Sequence, residues 1–251
     1  TRDDEARPDR AVAAAEELIT RLRVAALVGG YVDTLVGPIS EVAERQKVPY
    51  VATASLDERL TQRGYRYFFR ISHLQAYVDS MVGIVVDVFK PRSVAILKGF
   101  LGAFGMEFPE VVRDLGPSGQ FLFGTTGWEP GITEPGTEAA SRAFVEGYRK
   151  RFGVEPPPLA MHGYVGARAI LVAAERAASR SREVGPEAVR QGLQALDLLT
   201  PLERLQFDSR GEAKNYRRLI VQIQGNARVV VYPTQRATGK PVYPMPPWKE
   251  R

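Results

Sequence analysis

Residues 1–71 alternate between helix-spaced apolar side chains and short continuous apolar runs. Apolar residues at helix spacing predict a helix over residues 9–22. The run Val24–Val28 then ends in two glycines, which predicts a strand buried on both faces, as in a parallel sheet. The same succession repeats with a helix over 37–46 and strands over 48–52 and 67–71. This alternation predicts an α/β layered fold.

The alternation continues along the rest of the chain. Further helices are predicted over 78–89, 108–115, 137–152 and 159–178 and from Pro186 onward, and further strands over 94–97 and 121–125. The triplet Gln224-Gly225-Asn226 between two apolar runs predicts an antiparallel hairpin over 219–232. The stretch 137–197 has no clear strand of its own, so we expect it to pack on a sheet that other parts of the chain build.

Composition excludes several classes of protein. The 251 residues are 44% hydrophobic and 25% charged, which suits one large domain or two of ordinary size. The net charge of +5 is spread along the chain rather than concentrated on one element, which disfavours nucleic-acid binding. Cysteine is absent, which excludes disulfides and thiolate chemistry, and two histidines make a histidine-rich metal site improbable. No apolar run reaches the length of a membrane span, and the opening residues do not form a signal peptide.

The sequence contains no catalytic constellation. Gly99, Gly102 and Gly105 fall three apart but form neither a dinucleotide-binding fingerprint nor a P-loop. The serines have no nucleophile elbow around them, and no histidine–carboxylate pairing stands at helical spacing. We therefore expect a protein that is not an enzyme and has no cofactor and no metal site.

The sequence contains a set of short segments, each of which is a weak signal by itself. Their order along the chain makes the whole set fairly specific. They are Val28–Tyr65, Phe68-Phe69-Arg70, Lys90–Ala95, Gly124–Trp128, Phe207-Asp208 with Gly211, and Pro244–Trp248. The ordered set resembles the type I periplasmic solute-binding proteins of ABC transporters, in the leucine/isoleucine/valine-binding protein family. The resemblance covers nearly the whole chain. It implies an α/β fold of two Rossmann-like lobes, with mostly parallel sheets, joined by a three-strand hinge.

The resemblance also implies how the chain divides. Lobe I would comprise residues 1–72 and 130–213, and lobe II residues 73–129 and 214–251, with crossovers near Ser72, Trp128 and Gly211. Members of the family begin with a strand and a helix that would precede Thr1. They also carry further βαβ units where Lys98-Gly99-Phe100 stands here. We expect that the sequence omits these segments of a longer chain; the alternative is a naturally minimal member of the family.

The implied ligand site lies between the lobes, at the carboxyl ends of parallel strands. The loop after Val28 corresponds to the family loop whose hydroxyls bind a solute carboxylate, and here it holds Tyr31, Asp33 and Thr34. Asp33 stands where a serine is usual, and an anion there favours a cationic or hydroxyl-rich solute over a carboxylate. The alternative is that Asp33 caps the helix that begins near residue 34.

The loop after Val51 corresponds to a second carboxylate-binding element. It holds Thr53, Ala54 and Ser55, whose backbone N–H groups are the expected donors. Leu56 stands where a threonine is common, which removes one hydroxyl donor.

Three further residues complete the predicted site. Phe104 replaces an acid that pairs with the α-ammonium of an amino acid, so classical α-amino-acid recognition is in doubt. Phe104 and Trp128 would form an aromatic wall; the alternative for both is core packing. His73 would contact the solute, sense pH or act as a plain hinge residue, and His162 is expected to pack on a helix face.

The resemblance implies an extracytoplasmic receptor of an ABC importer that captures a small amino-acid-like, amide or aromatic-acid solute. Its partners would be the solute and the permease subunits, with no nucleic acid, and it would be a monomer or a weak dimer. It would be periplasmic or anchored outside the membrane. Two alternatives remain: a cytoplasmic amide or amino-acid sensor on the same fold, and an enzyme of Rossmann type.

Overall fold

The computed structural model describes residues 1–92, 108–179 and 184–247. The chain divides into two compact units. Unit 1 comprises Thr1–Leu74 and Ala160–Tyr216, and unit 2 comprises the described residues of Gln75–Leu159 and Arg217–Arg251. The chain therefore passes from one unit to the other three times, as a three-strand connection requires.

Unit 1 is built on a parallel sheet of three short strands. The strands are β1 (Leu27–Gly29), β2 (Tyr50–Ala52) and β3 (Phe68–Arg70), in the order β1-β2-β3. The helices before Leu74 are α1 (Pro8–Thr20), α2 (Asp33–Gln46) and the short α3 (Arg59–Gln62). Apolar residues of α1, α2 and the strands form one core cluster that includes Ile19, Val36, Tyr50 and Phe68. The predicted parallel sheet is confirmed here by the register of the three strands.

The segment around Gly211 continues this sheet beyond β3. Arg70 N–H donates to the carbonyl of Gly211 at 2.8 Å, and Ala213 N–H donates to the carbonyl of Arg70 at 3.0 Å. Gly211 has a φ of +81°, and a Cβ at this position would run into the backbone of Phe68. Only glycine fits so close an approach in that backbone conformation. Residues 211–213 are thereby fixed alongside β3.

The second part of unit 1 is mostly helical. It contains most of α7 (Pro158–Ala178), then α8 (Pro186–Gln194) and a two-stranded antiparallel pair, β5 (Leu198–Leu199) with β6 (Arg204–Leu205). Pro186 stands in the first turn of α8, where its missing N–H costs nothing. The sequence pattern predicts α7 and α8 but not the short β5–β6 pair.

Unit 2 has a sheet whose described strands are antiparallel. Its elements are α4 (Leu74–Gly83) with a π-helical continuation over Ile84–Phe89, α5 (Pro109–Leu115), β4 (Phe123–Thr126), α6 (Glu138–Phe152), β7 (Leu219–Gln224) and β8 (Ala227–Tyr232). The strand order is β4-β7-β8. Gly225 and Asn226 both have positive φ, +59° and +63°, which is the geometry of a tight two-residue hairpin turn. The predicted antiparallel hairpin is therefore confirmed. The described strands of this unit are antiparallel, although the resemblance implies mostly parallel sheets.

Residues 130–159 belong to unit 2, which corrects the predicted lobe boundaries. The packing explains the correction: Phe144 of α6 lies edge-on to Trp128, with ring centroids 5.9 Å apart, and Arg236 pairs with Glu134. The crossings fall after Leu74, Leu159 and Tyr216, so the crossover expected near Trp128 is wrong. The predicted strand over 94–97 lies outside the described residues.

In the parts of the chain that the structure describes, no helix is long and apolar enough to cross a bilayer. No group of three or more His, Asp or Glu side chains in those parts is placed to hold a metal ion.

Candidate functional site

The loops that follow β1 and β2 meet at the carboxyl edge of the unit 1 sheet. Parallel pairing aligns Gly29 with Ala52, so both loops leave the sheet at the same end. Thr53 N–H donates to the carbonyl of Gly29 at 3.2 Å, and Ala54 N–H to that of Gly30 at 3.2 Å. The Thr53 hydroxyl also donates to the Gly30 carbonyl, at 2.7 Å. The structure thus brings the two predicted loops together, but the N–H groups of Thr53 and Ala54 bind the neighbouring loop, which corrects their expected role as solute donors.

Asp33 joins the two loops through its side chain. Its Oδ1 accepts hydrogen bonds from the backbone N–H groups of Leu56, at 2.8 Å, and Asp57, at 3.1 Å. Val32, not Asp33, is the N-cap residue of α2, and the helix has no side-chain cap. Asp33 therefore does not cap its own helix, and its carboxylate binds the 56–57 backbone instead. Asp33 is half-buried.

Arg70 holds the same loop from the opposite side. Its buried guanidinium donates through Nη1 to the carbonyls of Ser55, at 3.3 Å, and Asp57, at 2.8 Å. Its Nη2 lies 2.8 Å from Glu212 Oε1, and Glu212 Oε2 accepts a hydrogen bond from the Thr61 hydroxyl at 3.0 Å. Residues 55–57 are thus fixed between a carboxylate on their N–H side and a guanidinium on their carbonyl side.

From the sequence, Arg70 is recognised only as part of a family segment, and its role in fixing the 55–57 loop is not predicted. The available signal is its position: it is a charged residue inside the apolar run Tyr67–Ile71. A charge in a buried strand needs a partner, because burying it unpaired is costly. The partner, Glu212, lies 142 positions further along the chain, a separation at which no spacing rule operates.

Two hydroxyls at this edge are buried without a hydrogen bond. Ser55 Oγ and Ser72 Oγ, at the carboxyl ends of β2 and β3, have no partner among the described residues. Buried hydroxyls are normally paired with protein or with water, so each of these can take a partner that the chain does not supply. Thr34 is exposed in the first turn of α2, and Tyr31 is exposed in the loop before it.

Arg59 stabilises the ionised form of Asp57 in the second loop. Hydrogen bonds from Arg59 hold the pKa of Asp57 below its usual value. The two side chains form an ion pair at 2.7 Å. On the other side of the sheet edge, burial raises the pKa of Tyr50, whose hydroxyl donates to the carbonyl of Gly29 at 3.1 Å. Asp57 is therefore ionised, and Tyr50 neutral, at every physiological pH.

Both histidines contact one buried tyrosine in unit 1. His162 Nε2 and the Tyr216 hydroxyl are 2.7 Å apart, and the His73 ring lies edge-on to the Tyr216 ring at 5.9 Å. His73 Nδ1 is 3.8 Å from Glu212 Oε1. The two histidines and Tyr216 lie one to three positions from the points where the chain changes unit. The hinge interpretation of His73 expects such a position.

The remaining predicted residues do not join this group. Trp128 belongs to unit 2, where it is 1% exposed, packs on Phe144 and accepts a hydrogen bond from Thr126 at its carbonyl. These contacts agree with the core-packing alternative. Phe104 and the segment around it lie outside the described residues.

A model of the periplasmic binding protein family matches the chain in two stretches, residues 1–114 and 100–227. Solved structures with a similar fold include the leucine-binding protein LivK from Thermotoga maritima, with a TM-score of 0.70 at 17% identity over 91% of this chain and 85% of that one. An ABC transporter substrate-binding protein from Desulfitobacterium hafniense, in complex with Leu, gives 0.68 at 17% over 91% and 87%. The isoleucine complex of LivJ from Streptococcus pneumoniae gives 0.65 at 13% over 92% and 86%.

Proposed function

Because this chain belongs to the periplasmic binding protein family, we propose that it is an extracytoplasmic receptor that captures a small solute and delivers it to an ABC permease. The observation that carries the proposal is the pair of loops at the carboxyl edge of the unit 1 sheet. The backbone of these loops is fixed by internal hydrogen bonds, while Tyr31 and Thr34 stay exposed. A rigid loop pair that presents a few polar groups is the usual form of a small-molecule site.

The solute belongs to the amino-acid-like, amide or aromatic-acid classes. The similarity to LivK and LivJ supports the amino-acid-like class, because that LivK is a leucine-binding protein and that LivJ structure is a complex with isoleucine. Thr34, which is exposed, would supply a hydroxyl to the polar end of the solute, and a contact with the buried Ser55 hydroxyl stays a prediction from the resemblance. Contacts of the solute with His73, Phe104 and Trp128 remain predictions from the resemblance.

The proposal includes a place and a partner. As a receptor of an importer, the protein acts in the periplasm or anchored at the outer face of the membrane, as a monomer or weak dimer. It releases the solute to the permease subunits of the importer. A cytoplasmic amide or amino-acid sensor would use the same loops but would have no permease partner.

A thermal-shift screen tests the proposal. The panel contains branched-chain and aromatic amino acids, aromatic carboxylates, amides, urea and polyamines. A solute at 100 times its dissociation constant stabilises the folded protein by about 2.7 kcal/mol. For a chain of this length the melting temperature then rises by roughly 5–10 °C. A folded sample that shifts with no member of the panel would contradict the proposal.

Two variants place the site. Thr34→Ala removes an exposed hydroxyl from the first loop and should reduce the ligand-induced shift by half or more while leaving the melting temperature of the free protein unchanged. Thr20→Ala is the matched control, since it removes a helical threonine hydroxyl outside both loops, one that donates to the Glu16 carbonyl. Equal ligand shifts in the two variants would place the solute elsewhere.

A further inference from the structure

We infer that Asp33 fills, with the protein's own carboxylate, the anion-binding position of the 55–57 loop, so that the receptor selects solutes with a neutral amide or a cation at this end over solutes with a carboxylate. The inference rests on the proposed function and deepens it by naming the class of solute.

The position has the form of an anion site. Two successive backbone N–H groups, of Leu56 and Asp57, converge on the single oxygen Asp33 Oδ1 at 2.8 and 3.1 Å. Successive N–H groups that point at one place make a concavity suited to anions, and hydrogen bonds from them to a carboxylate are of the stronger, charge-assisted kind. In this chain the anion is already covalently attached.

Arg70 restrains the loop on its carbonyl side. It donates to the carbonyls of Ser55 and Asp57, and the Ser55 carbonyl shares its peptide group with the Leu56 N–H. The guanidinium is itself fixed by its ion pair with Glu212. A carboxylate of the solute would therefore have to displace Asp33 from the Leu56 N–H rather than draw this group toward itself.

Arg59 interacts with the charge of Asp33, but its ion pair is formed with Asp57, so it is shared between two carboxylates. Arg59 is paired with Asp57 at 2.7 Å, Arg70 with Glu212 at 2.8 Å, and Arg63 with Glu41 at 3.0 Å. A solute carboxylate at this edge therefore meets a negative charge, whereas an amide N–H or an ammonium group meets an acceptor. Asp33 is half-buried rather than fully enclosed, so a solute can approach it.

Matched solutes separate this inference from a purely structural role of Asp33. L-leucine and L-leucinamide differ at the carboxyl group, as do phenylacetate and phenylacetamide. Isothermal titration calorimetry of the wild-type protein should give the amide of at least one pair an affinity about tenfold higher, as expected for one repulsion near a protein surface. This measurement needs no variant, so it does not depend on how a substitution affects folding.

Asp33→Asn then tests the residue itself. The asparagine oxygen can still accept from Leu56 and Asp57, so the loop keeps its position while the charge is lost. We expect the amide-to-carboxylate affinity ratio to fall at least about fivefold. Glu58→Gln is the matched control: it removes one negative charge from an exposed side chain in the same loop and should leave the ratio within about twofold.

The outcomes separate the two proposals. A wild-type protein that binds the carboxylate of a pair as well as the amide or better overturns the inference and leaves the receptor function intact. A ratio that does not change in Asp33→Asn also overturns it. If no member of the pairs or of the wider panel binds, the proposed function fails, and the inference fails with it.

Discussion

Each of the two units contains a buried arginine–glutamate pair, and the two pairs hold different parts of the backbone in position. In unit 1, Arg70 is fully buried, and its guanidinium binds both Glu212 and the carbonyls of the 55–57 loop. In unit 2, Arg228 of β8 lies 2.6 Å from Glu129, just after β4, and burial raises the pKa of Glu129. The first pair therefore fixes a loop of the candidate site, whereas the second joins two edges of a sheet.

The 55–57 loop, which has no regular strand pairing, is held in position differently from a strand. A strand edge is held by its ladder of backbone hydrogen bonds, but residues 55–57 have no such ladder. Their backbone is held by two side chains of opposite charge, Asp33 and Arg70. Removal of a partner from a buried pair leaves a charge that nothing compensates, which is the costly change. We therefore expect the loop, rather than the sheet, to be the more sensitive to charge removal.

The largest expected effect is that of Arg70→Met. The substitution leaves Glu212 and two loop carbonyls without their buried donor, and we expect the free energy of unfolding to fall by about 3–5 kcal/mol. Arg228→Met is the control in unit 2. It should cost less, about 2 kcal/mol, because desolvation already opposes the charged form of Glu129. Guanidinium-induced unfolding of both variants measures the difference, and equal losses would contradict the proposed contrast.

Much of unit 1 was predictable from the sequence because its elements are set by local patterns. The helix predicted over 9–22 is Pro8–Thr20, and the strand predicted over 67–71 is Phe68–Arg70. The pair Arg70–Glu212 was not predictable, since it depends on how distant segments meet. Asp33 was selected as a candidate, but its binding of the Leu56 and Asp57 N–H groups could be found only once the two loops were placed.

The assignment of residues 130–159 failed for a related reason. Periodicity predicts the helix α6 well, but it does not tell which sheet the helix covers. That choice depends on the contact of Phe144 with Trp128 and on the pairing of Glu134 with Arg236, which lie far apart in the sequence. The resemblance predicted the number of crossovers correctly. Their positions depend on the packing of single side chains, which the resemblance does not reveal.

Two glycines with positive φ provide the next comparison. Gly211→Ala should destabilise the protein by about 2–3 kcal/mol, since the new Cβ meets the backbone of Phe68 in addition to the strain of a left-handed conformation. Gly225→Ala, in the hairpin turn of unit 2, has open space around the new Cβ and should cost about 1 kcal/mol. Thermal unfolding of both variants measures the contrast. If Gly225→Ala is the more harmful, the close fit of 211–213 against β3 is not what stabilises this edge.

Two tyrosine hydroxyls give a smaller effect. Tyr216→Phe removes the contact with His162 Nε2 from a fully buried site, and we expect a loss of about 1–2 kcal/mol. Tyr232→Phe in unit 2 removes a bond to the exposed Asp87 and should cost about 0.5 kcal/mol. Chemical denaturation of the two variants under identical conditions compares them. A Tyr216→Phe protein as stable as the wild type would mean that the His162 contact contributes nothing to unit 1.

The smallest effect is one of pH, at the contact between α8 and the residue before β3. Hydrogen bonds from Arg190, with a smaller contribution from Tyr67, lower the pKa of Glu187 from 4.5 to about 2. A carboxyl whose pKa is lowered by folding stabilises the protein above its unfolded pKa, and this contribution is lost as the pH falls through the folded value. Because the Glu187 side chain is 47% exposed, we expect less than about 1 kcal/mol. The difference in stability between the wild type and Glu187→Gln should therefore be constant above pH 5 and shrink from about 4.5 toward 2, as measured by urea unfolding at each pH. A difference that does not change with pH over this range would show that Glu187 acts in this contact through packing and neutral hydrogen bonds rather than through its charge.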